Sequence, residues 1–142
     1  FQAVTSRQEQ ADFIFKAAAV ADYTPDRVSD TKIKKCDGDM CITLRRTRDI
    51  AAELGAHKGG RLLVGFALET HDEQAHAEAK LEKKNFDFIV LNSLRDAGAG
   101  FRGDTNKVTF IDRTGREELP LLSKREVAER IAEAMEGLFP KK

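Results

Sequence analysis

The sequence has 142 residues, enough for one domain with a real core and too few for two ordinary ones. It is 41% hydrophobic and 34% charged, and its 24 basic residues balance 24 acidic ones, so no overall field would attract nucleic acid or an anionic membrane. Cys36 and Cys41 cannot build a disulfide framework and lack the spacing of zinc ligands. With no secretory leader and no apolar run of membrane-spanning length, the sequence predicts a cytoplasmic protein.

Apolar runs alternate with helix-like stretches along the chain, a pattern typical of an α/β sheet with crossover helices. Strands are predicted at residues 13–20, 40–44, 61–67 and 86–91. Their near-continuous apolar character favours parallel strands covered on both faces. Before them, Ala3 and Val4 resemble the end of another strand, but a parallel crossover needs roughly a dozen residues and too few precede Phe13. Either this segment is no parallel neighbour or a helical stretch is missing there, and we favour the second interpretation.

Three helices are predicted from their start and stop signals. The first follows Thr47 and carries Ile50 and Leu54, with Gly59 and Gly60 beyond its end; the second begins at a capping box of Thr70 and Glu73 and reaches Lys84; the third begins at a capping box of Ser123 and Glu126. An apolar stripe on the third helix predicts that one of its faces packs on the sheet. The stripe consists of Val127, Ile131, Met135 and Leu138, and Pro140 follows it.

Residues 107–111 and 117–122 flank the turn sequence Asp-Arg-Thr-Gly at 112–115, which predicts a β-hairpin. Pro120 cannot donate a backbone hydrogen bond, so the second strand of this hairpin should lie at the edge of the sheet. Proteins usually cover or pair such edges. This hairpin and the short strand at 40–44 are therefore candidate assembly surfaces.

The strongest chemical signal is Ala-Ala-Ala-Val-Ala-Asp-Tyr at residues 17–23. Small side chains at the carboxyl end of a strand let a ligand approach the backbone, and open α/β sheets bind ligands at that end. The acid at the tip, Asp22, suits a cation or a ribose hydroxyl. A tightly packed strand that ends in a solvated aspartate is the structural alternative, and the spacing alone does not separate the two.

Lys32, Lys34 and Lys35 follow in a predicted loop. Three ammonium groups on one loop are able to neutralise a polyphosphate. Alone, such a charge run is more often a solvated loop. Combined with the alanine-rich strand, it favours a phosphate-binding loop.

Five motifs, in one order, resemble those of the bacterial-type phosphopantothenoylcysteine synthetase family. They are Ala-Ala-Val-Ala-Asp-Tyr at 18–23; Lys-x-Lys-Lys at 32–35; Val-Gly-Phe-Ala-Leu-Glu-Thr at 64–70; Lys80, Lys84, Asp87 and Asn92; and Gly100 and Phe101 followed by Asp104, Asn106 and Val108. The resemblance extends from Thr5 to the C-terminus and implies a Rossmann-like three-layer α/β/α fold. That fold has a mostly parallel sheet, with an added hairpin and edge strands for dimerisation. The family's N-terminal strand and glycine-rich turn are unmatched, so residues 1–142 are expected to form a single domain without that start.

The resemblance implies one nucleotide site built from most of these motifs. Lys32 would be the flap lysine over the triphosphate and the acyl-cytidylate, and Ala18 and Ala19 would lie beside the reacting groups. CTP would contact Ala18, Asp22, Lys32, Arg48, Asp49, Ile50, Ala51, Phe66, Lys80 and Lys84, and Asp22 is also the candidate metal ligand. Arg48 departs from the family, which often has proline there.

Each assignment has a structural alternative. These are core packing for Phe66, surface pairing with Glu73 or Glu82 for Lys80 and Lys84, and a turn cap for Asn92. The three histidines lie in polar contexts and receive no role.

In this family the substrate carboxylate attacks the α-phosphorus of CTP, and the cysteine amine then displaces CMP from the acyl-cytidylate. The resemblance therefore implies CTP, 4′-phosphopantothenate and L-cysteine as substrates, Mg²⁺ with the CTP, and a homodimer. A phosphopantothenoylcysteine decarboxylase would be fused or associated, and no FMN is expected in this segment. Neither nucleic acid nor a membrane is expected as a partner.

Two other functions compete with this one. A nicotinamide-dependent dehydrogenase needs Gly-x-Gly-x-x-Gly after a strand, which is absent, and Tyr23 is followed four residues later by Arg27 rather than lysine. A non-catalytic module that binds CTP or dimerises would carry most of the same motifs, because only the start of the family's domain is unmatched. In that case the segment alone would be inactive.

Overall fold

The structure is a computed structural model that describes residues 1–35, 37–69, 71–93 and 103–138. The expectations that involve Thr70, Gly100, Phe101 and Pro140 lie outside the described residues. Within these ranges, no helix combines the length and the apolar composition needed to cross a bilayer.

The described chain alternates strands and helices from beginning to end. In chain order the elements are α1 (Gln2–Thr5), a 3-10 helix (Gln8–Gln10), β1 (Phe13–Lys16), β2 (Tyr23–Pro25), β3 (Leu44–Arg46), α2 (Ile50–Ala56), β4 (Leu62–Glu69), α3 (Glu73–Lys83), β5 (Phe88–Ser93), β6 (Thr105–Asn106), β7 (Val108–Asp112), β8 (Arg116–Glu118), β9 (Leu122–Ser123) and α4 (Lys124–Leu138).

The central sheet has the strand order β1-β4-β5-β7-β8. β4 pairs in parallel with β1 on one side and β5 on the other, while β7 and β8 extend the sheet as antiparallel strands. The predicted hairpin is confirmed, with β8 at the sheet edge, but its second strand ends at Glu118 and not at residue 122, so Pro120 lies after the strand. Two further antiparallel pairs, β2 with β3 and β6 with β9, lie outside this sheet.

Helices cover both faces of the sheet, which gives the expected three layers. Alternate residues of β4 enter opposite cores: Leu63 and Ala67 pack with α2 and α3, whereas Leu62 and Val64 pack with α4. A strand buried on both faces needs apolar residues at every position. This explains the near-continuous apolar run that predicted β4, and it confirms the α/β fold class.

The last helix begins where the sequence predicts. The Glu126 carboxylate accepts a hydrogen bond from Ser123 N at 2.8 Å, and Ser123 Oγ accepts one from Glu126 N at 3.2 Å, so the capping box is confirmed. Val127, Ile131 and Met135 are buried against the sheet, but Leu138 is 39% exposed. The predicted stripe is therefore correct for three of its four residues.

Several predicted boundaries are wrong, because backbone pairing, and not apolar composition, decides where a strand ends. β1 ends at Lys16, opposite Gly65, so residues 17–20 leave the sheet. β3 begins at Leu44 and covers only the three residues that face β2. Ala3 and Val4 belong to helix α1 and not to a strand.

The first predicted helix begins two residues later than its Thr47 signal suggests. Asp49 is the N-cap of α2, and its side chain accepts a hydrogen bond from Ala52 N at 3.0 Å. The second helix has Asp72 as N-cap and ends at Lys83.

Close packing between α2 and the end of α3 depends on Gly55. A Cβ atom at this position would overlap the carbonyl oxygen of Lys84 and lie 3.3 Å from the Cβ of Asn85. Asn85, whose φ is +50°, also donates from its side chain to the Gly55 carbonyl at 3.0 Å. This contact fixes α2 beside the end of α3, and with it the side chain of Lys84.

We expect Gly55→Ala to lower the free energy of unfolding by roughly 1–3 kcal/mol, because a backbone carbonyl cannot rotate away as a side chain can. Urea unfolding measures the change. Gly60→Ala is the matched control, since a Cβ there meets nothing within 4 Å. Equal stability of the two variants would contradict the close-packing argument.

Candidate functional site

A cavity of about 590 Å³ opens at the carboxyl ends of the parallel strands, on the face covered by α4. Its wall contains residues 16–20, Phe66, Ala67, Leu68, Asn92, Asn106 and four residues of α4, namely Lys124, Val127, Ala128 and Ile131. This is the edge at which open α/β sheets bind ligands. Ala18 and Ala19, both predicted for the site, lie in the wall.

Phe66 faces this cavity and not the core. It is 42% exposed, although Val64 and Ala67 on the same strand are 0% and 3% exposed. The core-packing alternative for Phe66 is therefore wrong. An exposed phenyl ring beside alanine backbone offers a flat apolar surface of the kind on which a base or a ribose packs.

Two amide oxygens in the cavity wall have no partner. The Oδ1 atoms of Asn92 and Asn106 are buried and accept no hydrogen bond from the rest of the described chain. A buried acceptor without a donor costs free energy. The motif that contains Asn106 predicts no role for this residue, and the sequence does not predict that α4 lines the cavity. Each of these residues reaches the cavity through tertiary packing, which has no local sequence signal.

A second group of predicted residues lies beside the alanine-rich segment and is joined to it by Thr47. The Thr47 backbone N–H donates to the Asp22 carbonyl at 2.9 Å, and its hydroxyl donates to the Ala21 carbonyl at 2.6 Å. Thr47 is followed directly in the chain by Arg48, Asp49 and the start of α2. Asp22 and the loop of Arg48, Asp49, Ile50 and Ala51 are therefore neighbours, as expected for one site.

Asp49 and Lys84 form an ion pair at the start of α2. Lys84 Nζ lies 2.9 Å from Asp49 Oδ2. Partial burial raises the pKa of Asp49, but the hydrogen bond and charge of Lys84, together with the backbone N–H groups of Ala52 and Ala51, outweigh that effect and hold the pKa below its ordinary value. The carboxylate is thus ionised at neutral pH and retains Lys84.

Lys80 also has an acidic partner on another element. Its ammonium contacts the Glu69 carboxylate at the end of β4, and His76 Nδ1 lies 3.5 Å from the other Glu69 oxygen. The predicted alternative, pairing of Lys80 and Lys84 with Glu73 or Glu82, is wrong: these lysines pair with Glu69 and Asp49. Both ion pairs lie with α2 and α3, across the sheet from the cavity.

Lys32 lies in the exposed loop between β2 and β3, as the sequence predicts. Within the described residues its ammonium has no hydrogen-bonding or ionic partner. Arg48, in contrast, places its guanidinium 3.5 Å from the centre of the Phe1 ring. The structure thus brings Ala18, Ala19 and Phe66 to one cavity. Asp22 and residues 48–51 are neighbours through Thr47, Lys84 pairs with Asp49 on the α2 and α3 side of the sheet, and Lys32 lies on a separate loop.

Comparison with known proteins points to one family. The model of the DNA/pantothenate metabolism flavoprotein C-terminal domain matches residues 1–138. A Bacillus subtilis (strain 168) protein named coenzyme A biosynthesis bifunctional protein CoaBC is 46% identical over 138 residues, which are 96% of this chain and 34% of that protein. A protein from an unknown prokaryotic organism, named cysteine/cysteine sulfinic acid decarboxylase, is 54% identical over 121 residues, 84% of this chain and 34% of that protein.

Among solved structures, the crystal structure of the C-terminal domain of a CoaBC protein superposes with a TM-score of 0.76 and 38% identity, over 96% of this chain and 59% of that chain. The chain spans about a third of the length of the curated relatives it matches.

We expect Asp49→Ala to lower the free energy of unfolding by about 1 kcal/mol, because it removes the cap of α2. Asp49→Asn is the matched control, since asparagine also caps helices but cannot pair with Lys84. The stabilisation from the lowered pKa is present above the unfolded-state value of about 4 and is lost as the pH falls through the folded-state value. In urea unfolding across pH 2–7, the free energies of unfolding of wild type and Asp49→Asn should converge at the acid end. A difference in free energy that stays constant with pH would contradict this.

Proposed function

Because the chain belongs to the DNA/pantothenate metabolism flavoprotein C-terminal domain family, we propose that it is the ligase part of a phosphopantothenoylcysteine synthetase. It joins 4′-phosphopantothenate to L-cysteine with CTP, through an acyl-cytidylate, in coenzyme A biosynthesis. The observation that carries this proposal is the cavity at the carboxyl ends of β1, β4 and β5, walled by Ala18, Ala19 and Phe66. One relative is named for a decarboxylase, and its match covers 34% of that protein, the same share as in the CoaBC relative.

The reaction has two steps that the site must position. A carboxylate oxygen of phosphopantothenate attacks the α-phosphorus of CTP, and the bond to the leaving pyrophosphate breaks. The cysteine amine then attacks the acyl carbonyl, loses a proton and releases CMP. Neither step needs covalent bonding to the protein, so the side chains act through positioning and electrostatics.

The alanine-rich segment suits the reacting centre because methyl side chains leave its backbone accessible. Residues 17–20 line the cavity, and Phe66 contributes an exposed ring from the neighbouring strand. Thr47 contacts the alanine-rich segment and is followed in the chain by the loop of Arg48, Asp49, Ile50 and Ala51. In this proposal the phosphopantothenate and the reacting phosphate lie by Ala18 and Ala19, and the cytidine extends towards Phe66 and the loop.

Of the three lysines Lys32, Lys80 and Lys84, Lys32 is best able to stabilise the negative charge that develops on the phosphates. Lys80 and Lys84 are already paired with Glu69 and Asp49, so a phosphate contact by either would have to compete with a carboxylate. Lys32 has no such partner in the described chain and lies on an exposed loop. Lys80 and Lys84 therefore contribute in this proposal mainly by supporting the pocket.

Asp22 fits the way in which proteins hold Mg²⁺ that arrives with a nucleotide. The described residues contain no group of three or more metal-binding side chains, whereas Mg²⁺ on a triphosphate usually needs only one or two protein carboxylates. The exposed carboxylate of Asp22, beside Thr47, would hold the ion. Bound there, Mg²⁺ would neutralise part of the triphosphate charge.

A homodimer and a fused decarboxylase complete the proposal. The β2–β3 arm, residues 23–46, exposes several large apolar side chains, which a second copy would cover. They are Tyr23, Val28, Ile33, Met40, Ile42 and Leu44. The CoaBC relative is named as bifunctional and is about three times as long as its matched part, which leaves room for a decarboxylase with its own flavin.

We expect CTP with Mg²⁺ to raise the unfolding temperature more than ATP or GTP does. At a concentration of about 100 times its Kd, a ligand stabilises the folded state by about 2.7 kcal/mol. A thermal-shift series with the three nucleotides measures the preference. Equal shifts for all three nucleotides would contradict cytosine selectivity.

In the full-length enzyme, Lys32→Gln should lower kcat by about 10²–10³, because a positioned cation at a transferring phosphoryl group is worth about 2–4 kcal/mol. The loss should fall on kcat more than on KM, since the contact strengthens as pyrophosphate departs. Steady-state kinetics of the ligation give both constants.

Lys34→Gln and Lys35→Gln are matched controls on the same loop and should retain most of the activity. Wild-type turnover in Lys32→Gln would show that the loop is only surface charge. A similar loss in all three variants would indicate a general effect of positive charge, without a specific role for Lys32.

A further inference from the structure

Thr47 lies immediately beyond the end of the β2–β3 pair. The last paired residues are Tyr23 and Arg46, and Thr47 continues the ladder by donating its backbone N–H to Asp22. Its hydroxyl then donates to the next carbonyl back along the chain, that of Ala21, at 2.6 Å. One residue thus holds two consecutive carbonyl groups of the alanine-rich segment.

Thr47 connects the two segments of the proposed nucleotide site: residues 17–22, which its hydrogen bonds reach, and residues 48–51, which follow it in the chain. Residues 17–20 line the cavity, and Asp49, two residues after Thr47, caps α2 and retains Lys84. The chain between Ala21 and Thr47 is the long β2–β3 arm, whose exposed loop carries Lys32. The relative position of the two segments is therefore set by the β2–β3 pairing, by the Thr47 N–H bond to Asp22 and by the hydroxyl bond to Ala21, which extends this contact by one residue.

The Thr47 hydroxyl is available for this contact because it is not used at the helix start. Asp49 provides the cap of α2, so the side chain of Thr47 is left to reach Ala21. The bond is exposed, and a single exposed hydrogen bond contributes little to the stability of the fold. Its effect should instead be local, on the spacing of the two segments.

We propose that Thr47 is a positioning residue for the nucleotide, which fixes residues 18–22 against the loop of Arg48, Asp49, Ile50 and Ala51. The inference rests on the proposed function, since it concerns the site in which CTP would lie. Thr47 acts through the backbone carbonyls that it holds and touches no substrate. Removing the hydroxyl loosens one segment against the other and weakens the binding of the nucleotide that both segments contact.

The test compares Thr47→Val, Thr47→Ser and Thr43→Val in the full-length enzyme. Valine keeps the shape of threonine without the hydroxyl, and serine keeps the hydroxyl without the methyl group. Thr43→Val makes the same change four residues earlier on the same arm. We expect Thr47→Val to raise the KM for CTP roughly 3- to 10-fold, the equivalent of one lost hydrogen bond, with the KM for cysteine and the unfolding temperature unchanged.

Thr47→Ser and Thr43→Val should keep the wild-type KM for CTP. Hydrogen exchange gives an independent measurement: in Thr47→Val alone, the Ala52 N–H that bonds to Asp49 and the Thr47 N–H should exchange faster. Unchanged CTP affinity and exchange in Thr47→Val, or a serine variant as impaired as valine, would overturn the role of Thr47 alone. A wild-type enzyme that ligates without any nucleoside triphosphate would overturn the proposed function as well.

Discussion

Parallel pairing of β4 with β1 on one side and with β5 on the other brings three strand ends to the same edge of the sheet. The alanine-rich segment leaves β1 at this edge, and Phe66 and Asn92 approach it on β4 and β5. No local sequence feature places these residues together, since they are separated by long stretches of chain. The register between the strands does so, and it places the Phe66 ring and the amide of Asn92 at the cavity.

The sheet also separates the proposed site into two kinds of surface. On the α4 side lies a cavity whose wall is mainly apolar, with Phe66 and the first turns of the helix. On the other side, Lys80 and Lys84 are neutralised by Glu69 and Asp49. Charges that are already paired hold elements in place, whereas a charge on an exposed loop remains available to a ligand. This difference, more than the number of lysines, distinguishes Lys32 from Lys80 and Lys84.

Much of the fold was predictable because its signals are local or periodic. Local signals depend only on neighbouring residues. Examples are the apolar runs that predict β4 and β5, the capping box at Ser123 and the turn at Asp112. Asp112, for example, accepts hydrogen bonds from Thr114 N at 2.7 Å and Gly115 N at 3.0 Å. Strand ends were less predictable: β3 is only as long as its partner β2, and β1 ends at Lys16 although β4 continues to Glu69.

The resemblance named the residues of the proposed site but not their contacts. The resemblance selected Phe66, and only burial showed that its ring leaves the core. It also selected Asp87, which the structure places in the scaffold: its carboxylate accepts from Leu63 N and from Lys58 Nζ, both at 2.8 Å. The sequence around Thr47 predicts a helix start, because a threonine before an apolar periodic stretch usually has that role. Its bond to Ala21 spans 26 residues and has no local signature.

The strict alternation of β4 limits how this segment can change in length. Leu63 and Ala67 enter one core, Leu62 and Val64 the other, and Phe66 the cavity. One inserted or deleted residue before Phe66 would exchange the two faces for every side chain that follows. The phenyl ring would then enter the core under α2 and α3, and after a deletion the methyl group of Ala67 would take its place in the cavity. Substitutions of similar size are tolerable along Leu62–Glu69, but insertions and deletions are not, so length variation among relatives should fall in the connecting loops.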